Sequence, residues 1–177
     1  MKKFASSMVF TILSLTLFYF PTFAQQKLQL TDPEIASAAV TANKIDVDYG
    51  EIAMKKATNA DVKQFAQTMI KDHNSIIAQA VALAKKLNVT PKDNPLTKQL
   101  LDGEKTTTKM LNAKEGKAFD KAYIDNEVAY HQAVISTVTD VLIPQCKNEE
   151  LKQLLIKVSP LLNEHLEHAK MLQSKMQ

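Results

Sequence analysis

Four stretches of this chain place apolar residues every third or fourth position over several turns, and that spacing commits it to long helices packed against one another. The first stretch carries Ile35, Ala39, Ala42, Asp46, Tyr49 and Ala53 on one stripe. The second carries Val62, Phe65/Ala66, Met69, His73, Ile76, Ala80, Leu83 and Leu87. The third carries Phe119/Asp120, Tyr123/Ile124, Val128, His131, Val134/Ile135, Val138 and Leu142. The fourth carries Leu151, Leu154/Leu155, Val158, Leu161/Leu162, His165, Ala169 and Leu172. No stretch sustains the alternation of a half-buried strand. Only 3 glycines and no tryptophan fit the same helical reading.

The breaks between the stripes set their order in space. Asp32-Pro33-Glu34 predicts a helix start, with Asp32 as the cap and Pro33 at the first helical position. The first helix should end near Ala57, and Thr58 to Asp61 is a tight turn into a second helix running to about Leu87. A third long helix should begin around Lys117 and stop at Pro144, and a fourth near Asn148, with Pro160 bending it. Each pair is thus a hairpin. The pairs are joined by residues 88–116, which carry a shorter, more polar helix from Leu96 to about Leu111. A connection of that length makes the second and third long helices parallel. The predicted fold is therefore all-α, a ferritin-like four-helix bundle whose long crossover carries an extra short helix, with that helix free to pack as a fifth member.

The N-terminus sets the compartment. Lys2 and Lys3 precede an apolar run from Met8 to Phe20, and Pro21-Thr22-Phe23-Ala24 has the small residues of a cleavage site. This reads as a secretory signal peptide over residues 1–24, cut after Ala24, with a single domain over 25–177. The run is short for a membrane span, which needs ~20 residues. A periplasmic or secreted protein follows, with an uncleaved N-terminal anchor in the inner membrane as the alternative. Removing Lys2 and Lys3 brings the net charge from +3 to about +1, too little to draw a chain onto nucleic acid. Every basic residue is Lys, and the lack of Arg removes the usual bidentate grip on phosphate. Cys146 is the lone cysteine, so no intrachain disulfide is possible. It reads as a small residue at a helix end, or as one half of an intermolecular bridge in a homo-oligomer.

The chemistry concentrates on the seams. His73, His131 and His165 lie on the apolar stripes of three different helices, and Asp46 lies on the stripe of the remaining one. In the ferritin-like arrangement Asp46, His73 and His131 lie roughly 12 to 15 residues from the same end, so their heights agree to within ~5 Å at 1.5 Å per residue. His165, near the middle of an oppositely directed helix, falls within about a turn of them. One carboxylate and three imidazoles from facing helices suit a single transition-metal ion: iron, zinc, copper or manganese. Asp72, Tyr123, Glu127 and Tyr130 are placed to orient the rings. The same four residues also fit a buried hydrogen-bond network that fixes register and holds no metal. Glu127 with His131, and Glu164 with His168, are spaced one turn apart, which serves chelation or ordinary helix stabilisation. No nucleophile elbow and no glycine-rich phosphate loop occur, and Cys146 has no neighbouring base.

Several stretches resemble a bacterial family known as domain of unknown function 4142, placed in the ferritin-like superfamily. They are Asp46 to Ala53, Ala57 to Ala66, Met69 to His73, Phe119 to Tyr123 followed by His131, and Leu161 to Leu166. They occur in the family's order and span nearly all of residues 25–177. The resemblance implies an exported helical bundle, with an acid at Asp46 and histidines at His73, His131 and His165, and metal binding by analogy. One departure matters: the di-iron ferritin pattern places an acid three residues before its histidines. Here Ile70, Val128 and Leu162 stand before His73, His131 and His165. An iron-storage role is not implied. The readings left open are a metal-binding envelope protein, a non-catalytic envelope stress or interaction protein with a structural histidine network, and a metal-dependent enzyme with no substrate cue.

Overall fold

A computed structural model describes residues 28–176, and every regular element among them is helical. The predicted signal segment and cleavage site lie outside the described residues. The long helices are α1 (Asp32–Lys56), α2 (Ala60–Lys86), α3 (Pro95–Asn112), α4 (Gly116–Thr137) and α5 (Glu149–Ser174). Beyond Thr137, α4 continues through a π-helical turn, Val138–Leu142, and a last short turn, Ile143–Gln145. No helix among the described residues is long and apolar enough to cross a membrane.

Side-chain staples at the helix ends show the topology. The Asp120 carboxylate near the start of α4 accepts hydrogen bonds from Thr58 N, Thr58 Oγ1 and Asn59 N, at 2.9, 2.6 and 3.0 Å. The α1–α2 turn and the start of α4 therefore sit together. At the other end Asp32 accepts from Lys147 N and Asn148 N, at 2.8 and 3.0 Å, so α1 and α5 start side by side. Lys86, closing α2, pairs with Glu150 in the first turn of α5. Hence α2 and α4 run parallel, α1 and α5 run against them, and the bundle is ferritin-like. The crossover is α3, 18 residues long. Asn94 caps it and also donates to Glu34 O at the start of α1. At its far end, Asn112 O and Glu115 accept from Lys56. So α3 lies along α1 as a fifth member, returning the chain to the end where α4 must begin.

Local signals set these boundaries. Thr31, not Asp32, caps α1: its side chain and Glu34 form a capping box, which moves Asp32 one position inward and frees its carboxylate for the α5 start. After α2, Asn88 adopts φ 51°, with Asn88 N bonded to Lys85 O and Val89 N to Ala84 O. That double closure ends the helix at Lys86, ahead of the Thr90-Pro91 break. At Gly50 α1 lies close against α2, since a Cβ there would lie 2.8 Å from Ile70 Cγ1 and 3.2 Å from Ala66 O. Pro160 does not interrupt α5, and both Pro160 and Ile156, whose carbonyl loses its partner, face solvent.

The core has two apolar clusters. One is built on Tyr49, Phe65, Met69, Phe119, Tyr123 and Ala169. The other is built on Ile35, Val138, Leu142, Leu151, Leu155 and Leu162. The histidine layer lies at their junction.

Candidate metal centre

Four of the five long helices bring the seam residues to the junction: Asp46 from α1, His73 from α2, His131 from α4 and His165 from α5. All four are buried, none more than 4 % exposed. The ring centroids stand 5.6 Å apart for His73 and His131, 5.2 Å for His73 and His165, and 5.5 Å for His131 and His165. One nitrogen from each histidine lies within 4.8 Å of the other two. Asp46 Oδ2 is 3.4 Å from His73 Nε2 and 3.6 Å from His131 Nε2. Those contacts are long for hydrogen bonds. They match the ~3.4 Å that separates two ligand atoms bound at ~2.0–2.1 Å to one tetrahedral ion.

The hydrogen bonds decide what each ring presents. His73 Nδ1 donates to Asn43 Oδ1 at 2.7 Å. His131 Nδ1 donates to Glu127 O at 3.0 Å. His165 Nε2 donates to Asp72 Oδ2 at 3.1 Å. The outer nitrogen of every ring thus carries the proton, and the inner one carries a lone pair. The inner atoms, His73 Nε2, His131 Nε2 and His165 Nδ1, have no hydrogen-bond partner, and neither oxygen of Asp46 has one. A cavity of about 10 Å³ opens beside Asp46, His73 and His131, lined also by Ala42, Asn43, Tyr130, Val134 and Leu162 but not by His165. That is space for one small ion or water.

Burial sets the charges. It lowers the imidazole pKa of His73 well below the ordinary value and that of His131 to about 4, with the neighbouring rings adding to the shift. His165 is lowered in the same way, against a raising contribution from Asp72. Burial raises Asp46 above the usual carboxylate range. Glu127, one turn before His131, is raised well above it, by burial first and by Asp46 second. Burial therefore favours the neutral form of all three imidazoles and of both carboxyls in the site. A bound cation would favour the ionised carboxylate of Asp46, and His73, His131 and His165 would offer it their lone pairs.

Of the four residues selected from the seams, His73, His131 and His165 form one group, and Asp46 reaches His73 and His131. Of the four proposed orienting residues, Asp72 holds His165, and Tyr130 donates to Ala42 O while its ring sits edge-on to His131. Tyr123 is buried with its hydroxyl unpartnered. Glu127 is fully buried with both oxygens unpartnered, and forms a second potential ligand group with Asp46 and His131. Asn43 was not legible as the partner of His73. Its signal was its position three before Asp46, on the same helix face. His168 lies outside the centre and packs edge-on against Phe65, 5.2 Å between centroids, while Glu164 is exposed. That pair does not chelate.

The chain belongs to the family described as domain of unknown function (DUF4142), whose model matches residues 20–172. No curated protein matches it in sequence. Among solved structures it is similar to "CopM in the Cu(II)-bound form", with a TM-score of 0.64 and 14% identity, covering 85% of this chain and 100% of that one. At that identity the likeness is one of fold, an all-α helical bundle.

Proposed function

We propose that this protein is an exported helical bundle, periplasmic or secreted, that binds one transition-metal ion through Asp46, His73, His131 and His165. The observation that carries the reading is the orientation of the rings. Each outer nitrogen is satisfied by Asn43, Glu127 O or Asp72, and each inner nitrogen is buried and unpaired. Metal-binding histidines are held in this way, and their outer partners fix the tautomer. A purely structural network would instead pair the inner atoms with one another, because an unpaired buried polar atom costs about 1–3 kcal/mol.

Asp46 supplies the anionic ligand and the three imidazoles the neutral ones. Four protein ligands close a tetrahedral ion, as in sites that hold metal rather than turn over substrate. The role that fits is binding and buffering of metal in the envelope. Copper(II) tops the divalent affinity order for nitrogen and oxygen ligands, and the related fold with bound Cu(II) makes it the first ion to test.

The test is titration of metal-free protein with Cu(II), Zn(II), Mn(II) and Fe(II), followed by elemental analysis after gel filtration. One ion per chain is expected, with Cu(II) held most tightly, and His73→Ala should lose it. Retention of stoichiometric metal by His73→Ala would refute the ligand assignment.

A further inference from the structure

We infer that the half of the bundle beyond the histidine layer is a binding chamber for one linear hydrocarbon chain, the tail of a fatty acid or similar amphiphile. Protein interiors hold few voids larger than a water molecule. Here a cavity of about 260 Å³ lies between the helices. Its walls are apolar, and the space is left by small side chains: Ala36 and Ala39 on α1, Ala80 and Ala84 on α2. Larger residues at those seam positions would close it.

The lining extends from Asp32 to Asn43 on α1, from Ile76 on α2 to Leu87 just past its end, and from Leu151 to Leu162 on α5. At 1.5 Å per residue the chamber is ~16 Å long, so its volume corresponds to a mean section of roughly 16 Å², the width of a single chain. At ~1.27 Å per C–C bond, that length takes about twelve carbons.

Entry and depth are both visible. The first half of α2 buries Val62, Phe65, Ala66 and Met69 completely, whereas Leu83, Ala84 and Leu87 on the same stripe stay half-exposed along the chamber. The apolar seam there is written for contact, and no residue of the described chain covers it fully. At the inner end, Asn43, Tyr130, Val134 and Leu162 line both the chamber and the small cavity of the metal centre. A bound tail would end against the ligand layer. The chamber stands on its own geometry, and only the identity of its neighbour rests on the metal-binding reading.

The experiment uses the full chain, metal-free, titrated calorimetrically with straight-chain carboxylates of roughly six to sixteen carbons and with the matching alcohols. Affinity should tighten about fourfold for each added methylene and stop tightening near twelve carbons. Carboxylates and alcohols should share that limit, because the tail is what the chamber measures. No binding, or affinity that climbs through the series without a limit, overturns the inference. Ala80→Phe and Ala84→Phe each add bulk to empty space, and each should shorten the limit by several carbons. An unchanged limit in both also overturns it. Because no metal is present, failure here leaves the metal reading standing, and failure of metal binding leaves the chamber standing.

Discussion

Replacing Asp46 by Asn separates a metal ligand from a structural polar residue. The carboxyl is 1 % exposed, has no hydrogen-bond partner, and is pushed by burial toward its neutral form. An amide of the same shape replaces a neutral acid there, and its N–H groups face the lone pairs of His73 Nε2 and His131 Nε2, 3.4 and 3.6 Å from the present oxygen. Stability of the metal-free protein should therefore change by less than ~1 kcal/mol. The metal-bound state loses its one anionic ligand. With free metal at a hundred times the dissociation constant, the parent gains about 2.7 kcal/mol from binding. For a domain of this size, that raises the melting temperature by about 5–10 °C. The variant should show almost none of that rise at the same metal concentration. Thermal unfolding of both proteins with and without Cu(II) gives all four numbers. A full metal-induced rise in Asp46→Asn, or a loss of several kcal/mol without metal, would refute the reasoning.

Metal binding should also depend on pH through the acid rather than the imidazoles. The free Asp46 carboxyl has a raised pKa and binds metal only when ionised, so binding at neutral pH expels a proton and affinity rises with pH, by up to tenfold per unit. His131, lowered to about 4, stays neutral well below neutrality and adds no such dependence there. Calorimetry in two buffers of different ionisation enthalpy measures the proton, and its absence would remove Asp46 from the ligand set. Asp72→Ala and Asn43→Ala free the outer nitrogens of His165 and His73, so each should weaken metal binding about 10–100-fold. Stoichiometry should stay at one ion, as a competition titration would show. Asp120→Ala removes three hydrogen bonds that tie the α1–α2 turn to α4, and should cost about 3 kcal/mol in urea unfolding. A loss under ~0.5 kcal/mol would mean that water replaces those bonds.

The sequence made the histidine layer legible because a polar residue on an otherwise apolar stripe breaks a pattern that the rest of the helix keeps. His73, His131 and His165 break it on three helices and Asp46 on the fourth. Helix counting from the hairpin turns was enough to bring them to one height. The outer partners were harder to see. Asp72 neighbours a seam position, but Asn43 sits among alanines and resembles ordinary helix surface until its distance to His73 is known. The chamber was invisible for a different reason. Alanine and leucine count equally as apolar in a periodic pattern, so Ala80, Leu83 and Leu87 extend the α2 seam correctly while hiding that the facing volumes do not fill the space. Periodicity gives the direction of a side chain and not the sum of the volumes that meet there.

Asp32 and Asp120 explain how four separate helices deliver polar side chains to one small region of the core. Each carboxylate lies at one end of the bundle and grips backbone N–H groups of a turn distant in sequence. Asp120 sets the height of α4 against the α1–α2 turn, and Asp32 sets the height of α5 against α1. With both ends fixed, Asp46, His73, His131 and His165 have little freedom to slide along their axes, since one residue of slippage moves a side chain by 1.5 Å and turns it by about 100°. An apolar core tolerates such slippage better than a site whose ligand atoms must meet at one point. The fold is therefore locked in register at both ends, where hydrogen bonds to backbone can do it, and the middle is left free to hold unpaired lone pairs.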